Sequence, residues 1–209
     1  MISMPRRKRG QSRWTLLSAL ATLVIAPSAQ TLPAPKNVAY FPVGLGDNAF
    51  SPEGYPLDQY FSDTTLTLLK ADKRFSFSTF SRTHPGVKRA LAEGTIPSAL
   101  LLPPFTGSAN GQFKAITLGK LVRADFAMAG IIDKFTFSER NKSADMNVTV
   151  QLFDLKLSKV AGIVAFTVKG TGATRVEAAK ACVTEAAKQA STQSLQILSA
   201  PPKPPAGGG

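Results

Sequence analysis

The chain has 209 residues, of which 44% are hydrophobic and 18% charged, enough to build one domain with a real core. Its formal net charge of +12 is scattered rather than gathered into a stripe interleaved with aromatics, which argues against a nucleic-acid-binding protein. One cysteine and one histidine exclude an internal disulfide and leave any metal only oxygen ligands, so neither a metal nor another cofactor is expected.

The first thirty residues give an address. Arg6, Arg7, Lys8, Arg9 and Arg13 precede an apolar run at 14–26, and Pro27-Ser28-Ala29-Gln30 follows. Basic, apolar and small residues in that order form a secretory signal peptide, expected over 1–30. The run is too short for the about 20 residues a helix needs to cross a membrane, so no stable span is expected after cleavage. No cysteine stands at the junction to take lipid, and the mature chain is expected to be released, periplasmic or extracellular, and soluble. The leader holds five basic residues and no acids, so its removal brings the balance to +7. That charge predicts a weak attraction to anionic wall polymers.

Residues 31–36, with Pro33 and Pro35, read as an extended lead-in, and 37–199 as the folded domain. Asn37-Val-Ala-Tyr-Phe-Pro-Val43 is a β-leaning run that ends in a turn at Gly44-Leu-Gly46-Asp47. Pro56 can open a helix that continues through Leu57, Phe61 and Leu69. Alternation at Phe75, Phe77 and Phe80 marks a half-buried strand, and a short helix at 85–93 stops at Gly94. The stretch 97–104 is apolar and bracketed by proline, and a helix is expected over 114–123. Strands at 125–137, 145–155 and 160–169 are spaced as an antiparallel meander. Thr174 with Glu177 is a capping-box pattern ahead of an alanine-rich helix. The end, 200–209, is a proline- and glycine-rich tail expected to be disordered. The order β-α-β-α-(α)-β-β-β-α predicts an α/β fold: one domain, a mixed sheet with helices packed on it.

No catalytic constellation stands out. Gly44-x-Gly46-x-x-Ala49 matches a dinucleotide fingerprint, but Pro52, Gly54 and Pro56 break the chain before any helix, and a strand-to-helix turn explains it better. Asp47, Glu53, Asp58 and Asp63 cluster in sequence and could serve a secreted cell-wall hydrolase, which needs two carboxylates across one bond. Solvated loops and helix starts account for them better. His84 lies in a Thr-His-Pro-Gly turn, away from a serine nucleophile, and Cys182 among alanines reads as a small buried residue.

Three segments resemble the CsgG/LpoB-like envelope domain, which is related in layout to the TolB N-terminal domain. They are the opening strand Asn37-Val-Ala-Tyr-Phe-Pro-Val43, the segment Leu68-Leu-Lys-Ala-Asp-Lys-Arg-Phe75, and Gly119-Lys-Leu-Val-Arg-Ala-Asp-Phe-Ala-Met-Ala-Gly130. The hairpin at 148–169 and the closing helix complete the likeness, over about residues 37–198. The resemblance implies a non-enzymatic envelope component that binds a protein partner or itself. Two departures are the missing lipidation cysteine and the lack of a segment long enough for the barrel hairpins of CsgG. On this reading Phe50, Tyr55, Leu102 and Phe105, in the loops 48–55 and 96–112, are the candidate partner contacts, since loops on a scaffold carry recognition. A cationic, wall-associated structural protein is the remaining reading.

Overall fold

Six strands form one mixed sheet in the computed structural model, which describes residues 34–200. The expected leader at 1–30 and the tail from 201 onward lie outside the described residues. In chain order the elements are β1 (Lys36–Tyr40), β2 (Gly44–Asn48), α1 (Leu57–Leu69), β3 (Phe75–Thr79) and α2 (Pro85–Ala92). A short 3-10 turn (Ser98–Leu101) leads to α3 (Ala109–Leu121), β4 (Phe126–Ser138), β5 (Ser143–Asp154), β6 (Lys159–Thr171) and α4 (Arg175–Ser199).

The strand order is β3-β1-β4-β5-β6, with β3, β1 and β4 parallel and β4, β5 and β6 an antiparallel meander. Alternation along β1 explains the layering. Val38 and Tyr40 point into a core shared with α1 and α4, whereas Ala39 and Phe41 point into a second core under α2 and α3. A central strand buried on both faces reads as a continuous apolar run, which is why 37–43 shows no polar alternation.

α4 closes the first face. Thr174 and Glu177 make the expected capping box, each side chain bonding the other's backbone N–H. Ala178, Ala179, Ala186, Ala187 and Ala190 are fully buried, and their small size lets the helix lie close on β6. Gly170 and Gly172 on that side leave no room for a Cβ beneath its first turns.

Two expectations need correction. Residues 44–48 are a strand, not a turn: β2 pairs parallel with β4 at Gly44–Ile131 and Leu45–Ile132. Glycine suits the position because a Cβ on Gly46 would stand 3.2 Å from the backbone of Asp133. Gly46 of the fingerprint therefore serves close strand approach, while Gly44 has open space at its Cβ position. α3 starts five residues earlier than expected, because Ser108 Oγ accepts the Gly111 N–H and caps a turn whose exposed face is polar.

Candidate binding surface at the loop end of the sheet

Parallel β1, β3 and β4 give the sheet two unlike ends. Loops 49–56, 80–84 and 102–108 gather where β1 and β3 finish. β2 runs along β4 from Ile131, and Gly107 approaches the Ile131 side chain from the other loop.

An aromatic cluster braces this end. Phe41 stacks on Phe80 with ring centroids 4.6 Å apart, and Phe105 packs on both at 4.9 and 5.9 Å. Lys114 is buried along its stem and donates from Nζ to the Leu102 carbonyl at 2.9 Å, tying the 102–108 loop to α3. The other loop is held by Ser51, whose Oγ accepts the Leu57 N–H, and by Tyr55, stacked on Tyr60 at 4.2 Å.

The four candidate contacts divide between inside and outside. Tyr55 and Phe105 fold inward and are core residues, 6% and 4% exposed. Phe50 and Leu102 face solvent at 66% and 53%. Phe113, on the first turns of α3, is 58% exposed and joins them as a candidate that the sequence did not single out. A helix beginning at Ser108 puts Phe113 off the buried stripe of Lys114, Ala115 and Leu118, and that start was the missing signal.

The four acids fall into two pairs. Asp47 is exposed on β2 and Glu53 on the loop that follows it. Asp58 and Asp63 line a shallow cavity of about 220 Å³ with Tyr40, Gln59 and Ser62. Asp58 is half-buried and Asp63 exposed. Tyr40 is buried against it, and burial raises its phenol pKa against the opposing pull of the nearby Ser62 and Thr65 hydroxyls. Among the described residues no three His, Cys, Asp or Glu side chains stand close enough to hold a metal.

The remaining reactive groups have structural jobs. His84 Nδ1 accepts the Gly86 N–H and caps α2, while Ser81 Oγ bonds Thr83 Oγ1 at 2.7 Å, so histidine and serine are not set against each other. Cys182 is fully buried against the Ala144 carbonyl, and burial pushes its thiol up to about 11. A thiol that ionises near 9 in the unfolded chain and higher in the folded one costs stability as pH rises through that window. Alkylation by iodoacetamide at pH 8 is therefore expected to follow unfolding, with native protein unmodified by mass spectrometry and the urea-unfolded chain modified once.

No family model matches the chain, and no curated protein does. Among solved structures it is similar to the PelC dodecamer from Paraburkholderia phytofirmans, at 13% identity and a TM-score of 0.48 over 81% of this chain and 91% of that one. Protein XCC0632 from Xanthomonas campestris is similar at 9% identity and a TM-score of 0.48, covering 78% and 85%. The LpoB C-terminal domain from Salmonella enterica aligns at 11% identity and a TM-score of 0.41, covering 67% and 87%. At these values the likeness is one of shape and says nothing of activity.

Proposed function

We propose that the chain is an exported, non-enzymatic component of a bacterial cell envelope, acting as a binding or assembly module through protein contacts at the loop end of its sheet. The leader pattern supports export. The resemblance in residues 37–130 supports the envelope setting, and its CsgG part rests on those motifs alone. The partner is a second envelope protein or another copy of this chain.

The observation that carries this reading is the exposure of Phe50 and Leu102 on loops braced by packed aromatics, the first by the Tyr55–Tyr60 stack and the second by Phe41, Phe80 and Phe105. Large apolar side chains on a rigid base bind with little loss of side-chain freedom, and such anchors dominate interface energies. A photocrosslinking residue in place of Phe50 or Leu102, in living cells, is expected to capture the same protein, and one in place of Lys188 on the outer face of α4 none. Phe50→Ala combined with Leu102→Ala is expected to weaken capture at least about tenfold. Asp47, Glu53, Asp58 and Asp63, changed singly to Asn or Gln, are expected to alter nothing. Silence at both loop positions overturns the reading, as does a turnover of wall glycan that one of those acid variants abolishes.

A further inference from the structure

The opposite end of the sheet carries a different chemistry. Here β1, β3 and β4 begin, β5 ends and β6 begins, so four separate turns meet. Lys36 opens β1, and Lys70, Lys73 and Arg74 lie on the turn before β3. Lys120 and Arg123 lie before β4, and Lys156 and Lys159 on the β5–β6 turn. All eight are exposed.

Only three acids share these turns, and each is already engaged. Arg74 clasps Asp72 at 2.6 Å and holds its carboxyl below the usual range. Asp125 accepts the Asn37 N–H and faces Lys156 at 3.5 Å, and Asp154 accepts the Leu157 N–H. Lys120 reaches across to Ser158 Oγ, adding its charge to the β5–β6 turn.

Apolar surface sits within this basic rim. Leu157, between Lys156 and Lys159, is 57% exposed. Behind it a groove of about 660 Å³ has an apolar wall of Phe126, Val160, Ile197 and Leu198, and Asp125 and Asp154 line it together with the lysines. Lys36 lies at its mouth, its ammonium 5.4 Å from the centre of the Phe126 ring. The β5–β6 ladder shifts register between Leu152 and Phe153, so Ala161 is bulged out of the pairing where it lines the groove. Bulges at a sheet margin commonly shape such sites.

From this arrangement we infer that the groove end docks on an anionic lipid surface, with Leu157 as the inserted tip and the groove receiving one acyl chain. Each part suits that occupant. Lysine stems lie along apolar lipid while their ammonium groups reach the headgroups. Basic residues near an anionic bilayer add attraction one by one. An anionic wall polymer would use the lysines equally well, but would gain nothing from Leu157 or from the apolar wall of the groove. This surface is independent of the loop end, so the two proposals stand or fall separately.

The test is co-sedimentation of the purified mature protein, without the leader at 1–30, with vesicles of phosphatidylcholine containing phosphatidylglycerol. Binding is expected there and not with pure phosphatidylcholine, and is expected to weaken as salt is raised. Lys156→Glu with Lys159→Glu is expected to reduce it at least about tenfold. Lys134→Glu with Lys169→Glu, the same change of net charge at the far end, is expected to leave it intact. Leu157→Asp is expected to reduce it several-fold; the residue is exposed on a turn, so an unchanged circular dichroism spectrum should accompany the loss. Equal losses from the two charge-reversed pairs, an indifferent Leu157→Asp, or tighter sedimentation with purified peptidoglycan than with the vesicles would each overturn the proposal. So would a protein that binds these vesicles only when its chain is ended at Ala200, because the tail would then be the groove's natural occupant.

Discussion

Phe41→Ala is expected to destabilise the protein by about 3–5 kcal/mol, the cost of deleting a buried aromatic ring and leaving a cavity. Phe41 has no exposed surface and is the hub on which Phe80 and Phe105 both stack. It directly follows β1, where the chain is buried between the two cores, so neighbouring backbone cannot easily close the gap. Its own N–H is bonded to the Met128 carbonyl at 2.8 Å, which holds the position even when the ring is gone. The defect should thus stay local in structure while lowering global stability. Urea unfolding followed by tryptophan-independent circular dichroism measures the loss, and Phe41→Leu should recover much of it. Crosslinking from Leu102 should fall with Phe41→Ala while vesicle binding at the other end persists. A change below about 1 kcal/mol would mean the aromatic cluster is not a brace.

Gly170→Val has the second large effect, through overpacking. Gly170 pairs with Ala144 on β5 and lies directly under α4. A Cβ there would stand 2.4 Å from the Ala178 carbonyl oxygen and 2.7 Å from the Cys182 nitrogen. Both are backbone atoms of one helix, so no side chain can turn aside and α4 itself must lift. Crowding of this kind is expected to cost about 3 kcal/mol or more. In a domain of this size that lowers Tm by about 6–12 °C. Gly44→Ala is the control, since no atom lies within 4 Å of its Cβ position, and it should unfold like the parent. If calorimetry shows Gly170→Val within a degree or two of the parent, close packing of α4 on β6 is not what holds this face.

Signals that arise within a few neighbouring residues were legible in the sequence. Thr174 and Glu177 announce a helix start by their spacing, and the alternation of 145–155 announces a strand, because both depend on local geometry. β2 was hidden because nothing in Gly44-Leu-Gly-Asp-Asn favours a strand locally; it forms because the upper half of β4 offers an unpaired edge. The start of α3 was hidden because its first turn carries a capping serine and polar residues but no apolar stripe. Tyr55 and Phe105 could not be told from Phe50 and Leu102, since a loop aromatic turns in or out according to what the rest of the chain places beneath it. The basic end was invisible for the same reason. Its charges come from four turns far apart in sequence, and only the parallel start of three strands brings them together.

Lys36 and Ala200 both line the groove, so the polypeptide enters and leaves the domain through one face. A tether at either terminus, natural or engineered, therefore aims the molecule. With β4 spanning Phe126–Ser138, the far hairpin stands about 40 Å from the attachment point at about 3.3 Å per residue. An affinity tag or fluorescent fusion joined directly before Lys36 or after Ala200 would shade the groove and spare the loops. A label that must leave the groove free belongs instead on the outward turn at 139–142.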